Sequence, residues 1–266
     1  MEKIFDAHVH YLFEIPIDET IELFKREFEM AGSAKYNFLS IPFNEHANGY
    51  EMLYTQNIKG LFLKKTFSPN AYAFSGLEHP KDLVYTDFHK KDFLRQAEEY
   101  IGAGFDGFKM LEGYPVLRKL NQIPLDDKVY DYFYEFCQEN GLPLIMHVAN
   151  PKENWDISKA SEYAIKTGRV CDHTYPTKEK LTEEVYGILK KFPKLKLTLA
   201  HFGFMCYDVK DAEKYLNEYE NTMFDLTPGG EQLLMQASDW DTWSKFYDKY
   251  QDRIIYGTDF YAFPLE

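Results

Sequence analysis

Cysteine is scarce in this chain. Cys137, Cys171 and Cys206 are odd in number, widely spaced and form no Cys-x-x-Cys pair, which excludes a disulfide framework or a thiolate zinc knuckle and makes a reducing, cytoplasmic setting the expectation. Basic charge is also short. Lys and Arg number 30 against 43 Asp and Glu, a net −13, so the clustered cations that dominate binding to nucleic acid or to an anionic membrane are missing and neither is expected as a partner. No run of about 18 uncharged apolar residues occurs, and Met1 leads almost directly into strand-like sequence instead of a signal peptide. Glycine-rich phosphate loops, a Gly-x-Ser-x-Gly elbow and a paired Cys/His nucleophile are absent. No Pro/Gly/Ser-rich linker or internal repeat divides the chain, so one catalytic domain over residues 1–266 is predicted.

What is abundant is aromatic side chain, 17% of residues, a globular composition suited to a walled pocket. Short apolar β-rich runs alternate with longer amphipathic ones throughout, the pattern of βα units on a parallel sheet. Eight such runs are found, at 3–10, 36–43, 71–77, 107–111, 143–149, 196–201, 222–226 and 253–258. Between them the segments 18–31, 90–103 and 126–140 have helical spacing and end at Gly32, Gly104 and Gly141, residues suited to left-handed helix stops. Eight parallel strands predict an α/β fold, a (β/α)8 TIM barrel. The sequence ends at Glu266, soon after the eighth run, so the last helix is expected to be missing or shortened, with an earlier helix, a partner subunit of a homo-oligomer or sequence lost beyond a truncated end accounting for that flank. The connection 150–176 is expected to be an active-site loop.

Barrel enzymes carry their catalytic groups at the C-terminal ends of the strands. There this sequence places His8 and His10 in Phe-Asp-Ala-His-Val-His, Lys109 in Gly-Phe-Lys-Met-Leu, His147 in Leu-Ile-Met-His, His201 in Leu-Thr-Leu-Ala-His and Asp259 in Gly-Thr-Asp. His8 and His10 are two apart, so a strand projects both imidazoles from one face, close enough to share an ion. Alone, such a pair is more often a polar strand face than a pair of ligands. Together with ligand-type residues at other strand ends it reads as a metal site, which in catalytic form wants three or four protein ligands and an open position.

On these residues the chain resembles the amidohydrolase superfamily of metal-dependent (β/α)8 barrels over nearly its whole length. It looks most like the branch that includes aminocarboxymuconate-semialdehyde decarboxylase and dicarboxylate lactonases. The resemblance implies that His8, His10, His147 and Asp259 bind one divalent ion, with zinc expected, and that His201 is either catalytic or a ligand to a second ion. It leaves Lys109 with two readings. In binuclear members a lysine of the fourth strand is carboxylated and bridges two metals; otherwise Lys109 pairs with Glu112 or contacts substrate. The implied activity is hydrolysis of a small carbonyl compound, a lactone, amide or ester, by a metal-activated water, with Asp259 accepting the proton and His201 stabilising the oxyanion or acting as acid and base. The alternatives are a non-oxidative decarboxylase of an aromatic or unsaturated acid and, in another class, a barrel that binds metal or a small ligand without turnover.

For the substrate pocket the sequence offers Glu112, Tyr114 and Arg118 after the fourth strand, with Arg118 suited to fork onto a carboxylate. It also offers Trp155, His173 and Tyr175 in the long loop. Asp225 and Thr227 are expected to orient ligands from behind. His46, His79 and His89 lack such a context and read as surface or cap residues.

Overall fold

A computed structural model describes residues 4–46, 49–53, 55–228 and 232–261, the side chains of residues 44–52 excepted. The chain opens with β1 (Ile4–His10), in which Asp6, His8 and His10 alternate with Ala7 and Val9. Successive strand side chains point to opposite faces. Val9 joins Phe24, Phe28, Tyr36 and Phe38 in the layer between sheet and helices, and the even-numbered residues face the barrel interior. Helix α1 (Ile17–Ala31) follows and ends at Gly32, whose φ of 65° is the left-handed stop anticipated for it.

Then come β2 (Ser33–Leu39), the antiparallel pair β3 (Phe43–His46) and β4 (Gly49–Met52), α2 (Gln56–Phe67), β5 (Ala71–Ser75), α3 (Asp87–Ala103) and β6 (Gly107–Gly113). The sequence continues through α4 (Pro115–Asn121), α5 (Asp131–Glu139), β7 (Pro143–Val148), α6 (Glu162–Lys166), α7 (Lys178–Lys191), β8 (Lys196–Leu199) and α8 (Val209–Glu218). It closes with β9 (Thr222–Asp225), α9 (Gln232–Ser238), α10 (Trp240–Tyr250), β10 (Ile254–Ile255) and β11 (Phe260–Tyr261).

The main sheet has the order β10-β9-β8-β7-β6-β5-β2-β1-β11, and its neighbours pair in parallel. β10 and β11 are consecutive pieces of one segment. Between them the Ala7 N–H donates to the Tyr256 carbonyl at 3.0 Å and the Asp259 N–H to the His8 carbonyl at 2.9 Å. The two sheet edges therefore meet, and the fold is the TIM-barrel α/β fold that the alternating pattern predicts. Asp6 clips the seam: its carboxylate accepts from the Thr258 hydroxyl at 2.6 Å and from the N–H groups of Thr258 and His8.

The barrel interior is plugged by Leu39, Phe74, Ile145 and Ala200. Their neighbours toward the strand ends are the residues that carry the chemistry. Outside the sheet, Phe108, Met110, Leu144, Met146, Leu197 and Phe224 pack against Phe133, Val185, Ile188 and Tyr215 of the helices. A fully buried Leu or Phe side chain contributes about 2 kcal/mol, so this outer layer holds the barrel shut while the mouth stays open to polar groups.

Among the predicted boundaries that differ, three bear on how the barrel closes and where its mouth lies. The second run stops at Leu39, and Phe43 belongs to the separate β3–β4 hairpin. The sixth strand ends at Leu199, and Ala200–Phe204 turn through a short 3-10 element. The eighth run is divided into β10 and β11, because Gly257 and Thr258 leave the ladder to pass β1 closely; a Cβ on Gly257 would lie 2.7 Å from the His8 Cβ. The flank expected to lack its last helix involves residues 262–266, which lie outside the described residues.

Candidate metal centre

His8 and His10 face one point at the mouth of the barrel. Their Nε2 atoms are 3.0 Å apart, and Asp259 Oδ1 lies 3.2 Å from His10 Nε2 and 3.5 Å from His8 Nε2. Among the described residues these three form the group of convergent metal-binding side chains. Both histidines are oriented from behind: His8 Nδ1 donates to Asp225 Oδ2 at 2.7 Å, and His10 Nδ1 to the Leu39 carbonyl at 3.0 Å. With each Nδ1 committed as a donor, two Nε2 atoms and a carboxylate oxygen meet, and the arrangement balances only around a positive charge. Donor separations of 3.0 to 3.5 Å match the edge of a tetrahedron with arms near 2.1 Å, about 3.4 Å. The residues therefore fit a divalent ion, and the carboxylate behind His8 is the outer partner that metal-bound histidines characteristically have.

Lys109 reaches the same point from β6. Its Nζ lies 3.0 Å from His8 Nε2, and burial lowers its pKa to about 8. The expected pairing with Glu112 is not formed, because Glu112 is bound to His79 instead. His147 stands apart from the convergent group. Its Nε2 is 2.9 Å from the Ala149 carbonyl, which leaves Nδ1 as its acceptor, and its ring lies 4.8 Å from that of His201, centroid to centroid.

His201 is held through its backbone N–H, which donates to Asp225 Oδ1 at 2.7 Å and to the Thr227 hydroxyl, and through Nδ1, 2.9 Å from the same hydroxyl. That hydroxyl donates to Asp225 Oδ1. It therefore accepts from His201 Nδ1–H, and Nε2 carries the lone pair toward the cavity. Asp225 thus serves His8 with one oxygen and the His201 turn with the other.

Three strand ends bend through left-handed backbone at non-glycine residues, with φ of 65° at Ala149, 54° at His201 and 55° at Asp259. Such conformations cost about 1 kcal/mol or more each and persist where surrounding structure enforces them. Here they aim a carbonyl and two functional side chains into the mouth.

The charges follow from this packing. Burial, aided by the nearby Lys109 charge, lowers the His8 pKa to about 3. Burial also lowers His147 and His201. For Asp225 and Asp259 burial opposes ionisation, but the surrounding histidines outweigh it and keep both carboxylates charged. In metal-free protein these three histidines stay neutral when folded yet gain a proton below about pH 6.5 when unfolded, so stability falls as pH drops, by up to about 1.4 kcal/mol per pH unit for each. For His8 the loss continues to about pH 3. Urea melts of chelator-treated protein at about pH 7.5 and about pH 5.5 test this; equal midpoints would contradict it.

The cavity over the centre has a volume of about 580 Å³ and is lined by His10, Lys109, Tyr114, His147, His201 and Asp259 together with Asn150, Tyr163, Arg169 and Tyr261. The 150–176 connection therefore does form part of its wall. Tyr114 sets its edge on His147, with ring centroids 5.3 Å apart.

The other residues proposed for substrate lie elsewhere. Alternation on β6 with a bulge after Met110 turns Leu111 to the cavity and Glu112 away, where Glu112 meets the buried His79 at 2.8 Å. His79 is thus a core residue held by Glu112 and Tyr85, not a surface one. Arg118 does fork onto a carboxylate, but onto the buried Glu184 of α7, at 3.0 and 3.1 Å. Arg118→Met leaves that carboxylate short of its partner and is expected to lower stability by about 2 kcal/mol, read from urea unfolding; an unchanged midpoint would contradict the assignment. Trp155 donates Nε1–H to the Pro176 carbonyl, His173 is exposed on a turn, and Tyr175 lies beneath the Lys119 ammonium at 3.9 Å. His89 completes a helix cap with Thr86. The side chain of His46 lies outside the described residues.

Sequence reasoning passed over Asn150, Tyr163, Arg169 and Tyr261. Arg169 had a signal, as the single arginine of the 150–176 loop. Tyr261, which stacks on His10 at 4.8 Å, follows directly on Gly-Thr-Asp-Phe.

Comparison with solved structures shows the same fold in an uncharacterized TIM-barrel protein from Bordetella bronchiseptica (14% identity, TM-score 0.64, 97% of this chain and 86% of that one). It recurs in 4-oxalomesaconate hydratase from Rhodopseudomonas palustris (16%, 0.57, 96% and 80%). A third similar structure is a dihydroxybenzoic acid decarboxylase from Polaromonas sp. JS666 with bound manganese and 2-nitroresorcinol (16%, 0.53, 98% and 87%). Sequence comparison with curated proteins finds no match. The family model Amidohydro_2, described as amidohydrolase, matches residues 6–266. With that match over nearly its full length and a His-His-Asp centre at the barrel mouth, the chain belongs to the amidohydrolase family and is a metal-dependent enzyme of that superfamily.

Proposed function

We propose that the chain is a metal-dependent hydrolase that uses water to open a small lactone, amide or ester. The observation that carries this reading is the convergence of His8 Nε2, His10 Nε2 and Asp259 Oδ1 beside the free Nε2 of His201. Zinc is the ion proposed, one per chain, held by these three residues, with His147 joining as the fourth through Nδ1 only by moving in from its place in the cavity wall. Bound there, a divalent ion polarises a carbonyl and makes water acidic near neutral pH.

The chain's own groups do the rest. Asp259, kept ionised by its histidine neighbours, accepts the proton of the attacking water through Oδ2, since Oδ1 faces His8 and His10. His201 starts neutral with its lone pair on Nε2, so it takes there the second proton of the water, from the newly added hydroxyl, and delivers it to the leaving oxygen or nitrogen, while the proton on Asp259 returns to solvent as the product acid departs as its carboxylate. Thr227 and Asp225 hold it in that tautomer. Lys109 stays uncarboxylated at the cavity wall and contacts substrate; two ions per chain with a carbamate on Lys109 would contradict this.

The test is turnover of a panel of lactones, amides, esters and aromatic acids by zinc-loaded protein. Products that keep every carbon, with activity lost to a chelator and restored by zinc, are expected. Release of carbon dioxide would make the enzyme a decarboxylase instead.

A further inference from the structure

Two buried nitrogen donors in the cavity wall have no acceptor. Arg169 Nε and Asn150 Nδ2 are both shielded from solvent and make no hydrogen bond among the described residues, and both residues line the cavity that holds the metal centre. A buried donor left without an acceptor costs about 1–3 kcal/mol, so a pair of them on residues lining one cavity marks a place where an acceptor belongs.

Arg169 is unusual in this chain. Arg26 and Arg95 pair with acidic neighbours on their own helices, Arg118 grips Glu184, and Arg253 donates to the carbonyls of Tyr219 and Thr222. Arg169 has no ion pair with any described carboxylate. It is also fixed in place: its backbone N–H donates to the Ala164 carbonyl at 2.8 Å, and its guanidinium lies against the Tyr163 ring at 5.1 Å. The charge of the lining points the same way. Lys109 and Arg169 are cationic, and Asp259, the acidic residue of the lining, belongs to the metal centre. In a chain of net −13 the overall field does not gather anions, so an anion must be captured by local groups.

We infer that Arg169 and Asn150 form a carboxylate subsite, and that the substrate is a small organic acid held by a carboxylate that is not itself transformed while its reacting carbonyl lies at His201 and Asp259. The inference rests on the reading of this cavity as the substrate pocket. A guanidinium and an amide N–H supply the in-plane donors that the two oxygens of a carboxylate accept, and the flat faces of Tyr163, Tyr114 and Phe204 around them suit a planar acid. In the hydrolase reading the substrate is then a lactone, amide or ester that also bears a free carboxylate; in a decarboxylase it would be a diacid.

The test uses zinc-loaded full-length protein and benzoate as probe, with benzamide as its uncharged counterpart and inorganic phosphate as competitor, followed by calorimetric titration. Benzoate is expected to bind at least about tenfold more tightly than benzamide or phosphate, Arg169→Gln to weaken it by at least about tenfold, and Arg169→Lys to recover part of the loss. Asn150→Asp, of equal size but negatively charged, is expected to abolish binding and provides the reading if Arg169→Gln fails to fold. Zinc content and far-UV spectrum should be unchanged in all three variants. No benzoate binding, equal binding by wild type and Arg169→Gln, or equal affinity for benzamide or phosphate would overturn the subsite. Loss of the metal reading shows separately, as wild-type protein that holds no zinc whatever its affinity for benzoate.

Discussion

Asp259→Asn is expected to lower turnover by at least about 1,000-fold and to weaken metal binding in parallel. The carboxylate is the negative member of a centre whose other members are imidazoles, with Oδ1 at 3.2 Å from His10 Nε2. An amide of the same shape keeps the packing but presents a weaker ligand and no base. The left-handed backbone at Asp259 tolerates Asn as readily as Asp, so the loss is chemical, and the variant should melt at the temperature of metal-free wild type. Turnover within tenfold of wild type would show that another group takes the proton.

Asp225→Ala has the second largest expected effect although the residue lines no part of the cavity. One oxygen fixes the His8 ring through Nδ1; the other receives the His201 N–H and the Thr227 hydroxyl. Losing an outer partner of a metal-bound histidine costs about 10- to 100-fold in metal affinity. Freeing His201 to rotate or change tautomer adds a loss in kcat at saturating metal. Asp225→Asn separates the two: its carbonyl oxygen can still accept one of these hydrogen bonds, so it should recover part of the metal affinity while the kcat defect remains. A defect in affinity alone, with kcat restored by excess zinc, would mean that Asp225 serves only His8.

The barrel was legible in the sequence because its signal is local and repeated. Strands such as 143–149 are apolar runs that carry one polar residue near their C-terminal end, and glycine stops such as Gly32 mark where helices end. The divided last strand was not legible, since it depends on how closely Gly257 passes His8, a contact between residues about as far apart in the chain as two can be. The same distinction runs through the site. His8, His10 and Asp259 announce themselves at strand ends, where alternation fixes direction. Arg118 and Glu112 were misplaced because their partners, Glu184 and His79, lie on other elements and nothing local reveals a pairing made in the tertiary fold. Arg169 escaped notice for the reverse reason: what distinguishes it is the lack of a partner, visible only once the other arginines are seen to have theirs.

The central claim is a single divalent ion at His8, His10 and Asp259. Elemental analysis of purified full-length protein, alone and after exposure to zinc with removal of the excess, tests it most directly. One equivalent of divalent metal per chain in wild type, and well under one in His8→Ala, is predicted. Wild-type protein that neither carries stoichiometric metal nor takes it up would contradict the account.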